Sequence, residues 1–84
     1  IQSLYPNPFN PVLTISYSIP SETTVSITVY NMLGKKISTL VNNAYTLSGF
    51  HSVNWNASDY PSGMYFVQIQ TPSIIYSKKA LLLK

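Results

Sequence analysis

The chain has 84 residues, enough for one domain and too few for two, and 45% of them are hydrophobic and 13% aromatic. A chain of this size buries only roughly 60–65% of the surface its unfolded form exposes, so it has few core positions to give up to function. The absence of cysteine excludes a disulfide framework and a thiolate metal site. Five lysines and no arginine, against Glu22 and Asp59 alone, give a formal charge of +3, which argues against nucleic acid, where arginine is the preferred reader of phosphate and guanine.

The first block, Tyr5-Pro6-Asn7-Pro8-Phe9-Asn10-Pro11, places three prolines within six positions. Each proline fixes its own φ and pushes the residue before it toward extended conformations, so residues 1–11 are predicted to form a stiff, extended lead-in. Leu13, Ile15, Tyr17 and Ile19 then alternate with Thr14, Ser16 and Ser18, the period of a half-buried strand, which Pro20 ends. Val25, Ile27 and Val29 alternate with Ser26, Thr28 and Tyr30 in a second strand. Asn31, Met32, Leu33 and Gly34 make a turn in which Gly34 suits a positive φ. A shorter strand follows over about 36–41, and residues 42–49 carry turn formers and little pattern, so they are expected to be a loop.

His51, Val53 and Trp55 share one face of the next strand, against Ser52, Asn54 and Asn56. Residues 56–63 form a second predicted loop, with Pro61 and Gly63. Strand 64–70 turns Tyr65, Val67 and Ile69 one way and is closed by Pro72, and a final strand covers about 74–83. Six or seven short strands separated by turn signals predict an all-β fold, an antiparallel β-sandwich, with a closed small barrel as its competitor.

Little in this pattern supports chemistry. The single histidine, His51, lacks a positioned nucleophile or an orienting acid and is expected to be structural. Glu22 and Asp59 both fall in predicted surface loops, and the three glycines are scattered in separate turns rather than gathered in a phosphate loop. No enzyme, no metal site and no cofactor are expected. Tyr30, Tyr45, Tyr60 and Phe66 are expected to be exposed and offer material for a sugar-binding platform, with core packing or cover for a neighbouring domain as the simpler use. No stretch approaches the roughly 20 apolar residues that span a bilayer, so no membrane insertion is expected. The chain does not begin with methionine and shows no basic-then-apolar leader, so it is expected to be part of a longer protein with any export signal upstream.

Three blocks in order then carry a resemblance. They are the proline block with the strand behind it; Val29-Tyr30-Asn31-Met32-Leu33-Gly34-Lys35; and the stretch from Gly49-Phe50-His51 through Trp55-Asn56-Ala57 and Ser62-Gly63-Met64-Tyr65-Phe66 to Lys78-Lys79-Ala80-Leu81-Leu82-Leu83-Lys84. Over nearly the whole chain this resembles the type A C-terminal sorting domain of the type IX secretion system. The resemblance implies an immunoglobulin-like sandwich of about seven short strands, a single domain over 1–84. It also implies a non-catalytic signal that directs an upstream cargo, by way of the periplasm, through the outer-membrane translocon to the cell surface or medium.

The secretion translocon and a sortase-like surface protease are the implied partners. Tyr5, Pro6, Asn7, Pro8, Phe9, Asn10, Pro11, Gly34, Trp55, Gly63 and Tyr65 are the implied structural motif. The immunoglobulin-like domain of the flagellar hook-capping protein is similar in its proline block and its Gly-x-Tyr-Phe strand, but the Lys-Lys-Ala-Leu-Leu-Leu-Lys ending favours sorting. Where the family commonly has an acidic residue after the tryptophan this chain has Asn56, which is still able to cap a turn. The alternative is a structural or carbohydrate-binding immunoglobulin-like module of a secreted multidomain enzyme.

Recognition is expected at the terminal strand, through Lys78, Lys79, Leu81, Leu82, Leu83 and Lys84. An edge strand leaves backbone groups for a partner to extend. Three consecutive leucines cannot all point to one face, so at least one is left for use outside the core, unless a neighbouring loop buries all three. The lysines would discourage indiscriminate edge pairing.

Overall fold

A computed structural model describes residues 3–84. It contains seven strands: β1 (Ser3–Tyr5), β2 (Val12–Ile19), β3 (Thr23–Tyr30), β4 (Lys36–Thr46), β5 (Gly49–Asn56), β6 (Gly63–Gln70) and β7 (Ile75–Leu82). All the strand pairings are antiparallel, and they form a three-stranded sheet in the order β1-β2-β5 and a four-stranded sheet in the order β4-β3-β6-β7. The expected sandwich is therefore present, and the barrel is not. We call the end that carries the β3–β4 turn, the β5–β6 loop and Leu82 the upper end; the β2–β3, β4–β5 and β6–β7 connections make the lower end.

Alternation in sequence becomes burial in the fold. Leu13, Ile15, Tyr17, Ile19 and Trp55 from one sheet meet Val25, Ile27, Val29, Tyr65, Val67 and Ile69 from the other, all of them buried. Each fully buried side chain of this kind is worth about 1.5–3 kcal/mol. Among the described residues no buried side-chain polar atom lacks a hydrogen-bond partner, so the core carries no desolvation penalty of that type.

Two expectations need correction. Residues 42–49, read as a loop, are mostly strand, because β4 runs on to Thr46. The signal was hidden by register shifts between β3 and β4. Val25 pairs with Ala44 and Ile27 with Val41, so Ser26 faces both Asn42 and Asn43. Asn43 takes a φ of 48°, which asparagine tolerates, and its N–H bonds to the Ser26 hydroxyl at 2.9 Å. A bulge of this kind breaks the period of two on which the prediction rested.

The proline block differs as well. It is not a straight lead-in but bends between β1 and β2 and folds into the sandwich. Phe9 is 1% exposed and belongs to the core, while Pro6, Pro8 and Asn10 lie outside.

Candidate recognition surface

The groups with catalytic or ligating potential are dispersed. His51 stacks on Tyr17, its cross-strand partner, with ring centroids 5.5 Å apart, and its Nε2 contacts the Leu47 carbonyl at 2.8 Å. Glu22 lies in the β2–β3 turn of the lower end and Asp59 in the β5–β6 loop of the upper end. No three metal-ligating side chains come together among the described residues. A cleft of about 370 Å³ at the lower end, lined in part by Ile19, Glu22, Ile69 and Ile74, holds Glu22 as its one carboxylate.

The rings expected at the surface are also dispersed. Tyr45 is exposed on β4, whereas Tyr30 is half-buried opposite Phe66. Tyr60 is no surface ring: it packs against the core and donates its hydroxyl to the Ile37 carbonyl at 2.9 Å.

Tyr60 belongs to a cluster that closes the upper end. Trp55 lies 5.6 Å from Phe9, 5.6 Å from Tyr60 and 5.3 Å from Tyr65, measured between ring centroids. Tilted and edge-on pairs of this kind add about 0.5–1.5 kcal/mol each beyond their buried area. Tyr65, near the start of β6, donates its hydroxyl to the Pro61 carbonyl at 2.6 Å. That back-bond to a carbonyl a few residues upstream is the tyrosine corner of immunoglobulin-like sandwiches. Burial, and then the neighbouring Tyr60, push the Tyr65 phenol above its ordinary pKa.

The motif glycines and asparagines shape the turns around this cluster. Gly34 has a φ of 81°, a conformation that favours glycine. In the same turn Asn31 Oδ1 accepts the N–H groups of Leu33 and Lys35 at 2.9 and 3.0 Å. Asn56 caps its turn by accepting the Ser58 N–H at 3.0 Å and the Ser58 hydroxyl.

β7 forms one edge of the four-stranded sheet. Its even-numbered residues near the end, Ala80 and Leu82, are buried, while Leu81 is half-buried and Leu83 is 50% exposed. Of the residues expected to face a partner, Leu82 must be corrected, since at 0% exposure its side chain packs inside. Lys78 and Lys79 are exposed. Lys84 is exposed but tethered, its N–H to Ser62 Oγ at 2.9 Å and its ammonium to the Ser58 carbonyl.

Among the described residues, the edge of β7 is open over only part of its length. Phe9 forms a parallel bridge with Leu82. Its N–H donates to the Leu81 carbonyl at 2.9 Å, and its carbonyl accepts the Leu83 N–H at 3.0 Å. Two residues earlier, the Asn7 side chain acts as a piece of strand: Oδ1 accepts the Leu81 N–H at 3.0 Å and Nδ2 donates to the Lys79 carbonyl at 3.3 Å. The proline block thus clasps the upper half of the edge. Sequence reasoning placed Asn7 and Phe9 in a motif but missed this contact across 72–74 residues of chain.

A β-sandwich with an aromatic-sealed end and a clasped terminal strand is a scaffold that displays a surface. The family described as the secretion system C-terminal sorting domain matches residues 3–83. The chain therefore belongs to that family, the sorting domains of the type IX secretion system. Membership carries the role of a C-terminal sorting signal on a protein exported to the cell surface or medium. No curated protein and no solved structure matches the chain.

Proposed function

We propose that this domain directs an upstream cargo protein from the periplasm through the outer-membrane translocon, and that the translocon reads the upper half of β7 as a surface. A sortase-like protease at the cell surface is its second partner. The domain itself does no chemistry. One observation carries this reading: the clasp of Asn7 and Phe9 holds β7 in place while leaving Lys79, Leu81, Leu83 and Lys84 directed away from the core. With the Lys79 and Leu81 carbonyls and the Leu81 and Leu83 N–H groups bonded to the clasp, that half of the strand offers side chains more than an edge. Lys78 has the parity of Ala80 and Leu82 and so lies on the other side of the strand, outside this surface, and Leu82 contributes by anchoring the strand.

Deletion of 78–84 is a poor test, because it also removes the buried Ala80 and Leu82. The better test is export of a fluorescent cargo fused to the full domain in a type IX host. Leu83→Asp combined with Lys79→Glu should abolish export while the thermal melt stays close to that of the parent, since both residues are exposed. Alanine at His51, Glu22 and Asp59 should leave export intact. Unchanged export of the Leu83→Asp/Lys79→Glu variant would remove the terminal strand from the account.

A further inference from the structure

The surface of the upper end extends well beyond β7. Met32 and Leu33, at the tip of the β3–β4 turn, are 71% and 92% exposed. They share a cleft of about 190 Å³ with Met64 at the start of β6. Met64 pairs across the sheet with Leu81, and Phe66 with Lys79. Along β6 and β7 these residues alternate with the buried Tyr65, Val67, Ala80 and Leu82, which places them on the outer face of the sheet. Both methionines of the chain are therefore in one apolar patch.

The patch has a charged rim of one sign. Lys35 and Lys36 follow Leu33 after Gly34, Lys79 lies beside Phe66, and Lys84, whose backbone N–H bonds Ser62 of the same cleft, carries its ammonium to the Ser58 carbonyl in the β5–β6 loop. Asp59 in the β5–β6 loop is the one acid of this end, and Glu22 is at the other, near Tyr45. Among the described residues no ion pair neutralises these lysines.

We propose that Met32, Leu33, Met64, Phe66 and Leu81 form a docking surface for a protein of the export machinery whose own contact face is apolar at its centre and acidic at its rim. The proposal rests on the sorting reading and extends it from one strand to three segments of chain. Charge decides the partner's rim, because lysines without counter-ions favour approach by carboxylates and suppress wrong partners. Shape decides that the partner is a protein. A bilayer would engage a projecting apolar tip, but here Met64, Phe66 and Leu81 lie on the sheet itself, with a cleft between them and the tip. A protruding apolar side chain of a protein suits such a cleft. Methionine, flexible and polarizable, suits a surface that must adapt to its partner, and an anchor seated in a pocket is where binding energy concentrates.

The test compares export of a fluorescent cargo fused to the full domain, unaltered or carrying Leu33→Asp, Lys35→Glu/Lys36→Glu, or Phe50→Asp as a control. Phe50 is 79% exposed and sits on the other sheet at the lower end. Leu33→Asp and the lysine pair should each lower export by about tenfold or more, the cost of a lost anchor, with Phe50→Asp at the parent level and all melts alike. Export of Leu33→Asp at the parent level overturns the proposal, as does an equal fall for Phe50→Asp. Failure of the unaltered fusion to be exported overturns the sorting reading, and the patch with it. Sedimentation with phosphatidylglycerol–phosphatidylcholine vesicles supplies the last arm: no binding is expected, and binding that Leu33→Asp abolishes would assign the patch to a lipid surface instead.

Discussion

The two halves of β7 are alike in sequence and opposite in circumstance. Residues 75–78 and 79–82 both mix lysine with apolar side chains, and both pair with β6 along one side. On the other side, the upper half is bonded by Asn7 and Phe9, whereas among the described residues the lower half has no such partner. Ile75 and Tyr76 are exposed where Ala80 and Leu82 are buried. Whether an edge is available to a partner is thus decided by a segment from the opposite end of the chain. An unprotected edge invites pairing with other chains, so the clasp protects the edge in the half that carries Lys79, Leu81 and Leu82.

Removing the clasp should bring the two halves together. Phe9→Ala should have the largest effect, since Phe9 is 1% exposed and packs on Trp55. A loss of about 3–5 kcal/mol is expected, a large share of a small domain's stability, read as a drop in the urea midpoint. Asn7→Ala should cost about 1–2 kcal/mol through two lost hydrogen bonds. Its distinctive signature is amide exchange at Leu81, which should rise toward the rate at Ser77 on the lower half.

Tyr65→Phe removes the bond to Pro61 and should cost about 1 kcal/mol. It also tests the pH dependence of the upper end. The Tyr65 phenol titrates higher in the fold than in the unfolded chain, so its contribution is complete below about pH 10 and is lost as pH rises through the folded value. Alkaline melts should therefore fall less steeply in Tyr65→Phe than in the parent. The smallest effect belongs to the lower half: Ile75→Ser, at an exposed position, should change stability by no more than about 0.5 kcal/mol.

What could be read in advance follows the same division. The alternation in β2, β3 and β6 made the sandwich legible, because a period of two maps directly onto burial. β4 was legible only to about residue 41, since the bulge at Asn42 and Asn43 shifts the phase and leaves Tyr45 outside. Leu81, Leu82 and Leu83 announced that the end of the strand would be divided between core and surface. Only the fold assigned Leu82 to the interior. Tyr60 was misplaced because its partners, Trp55 and Tyr65, lie on two different strands in two different sheets. The clasp was not legible at all. An asparagine that imitates a strand leaves no periodic trace, and its target lies more than 70 residues away.

Photo-crosslinking in exporting cells tests the division of β7 most directly, with a benzophenone amino acid placed at Leu83 in one fusion and at Ile75 in another. The account predicts adducts with the outer-membrane translocon from Leu83 and none from Ile75. Adducts from Ile75 with none from Leu83 would mean that the machinery adds a strand to the open half of the edge, and that the clasped surface is not what it reads.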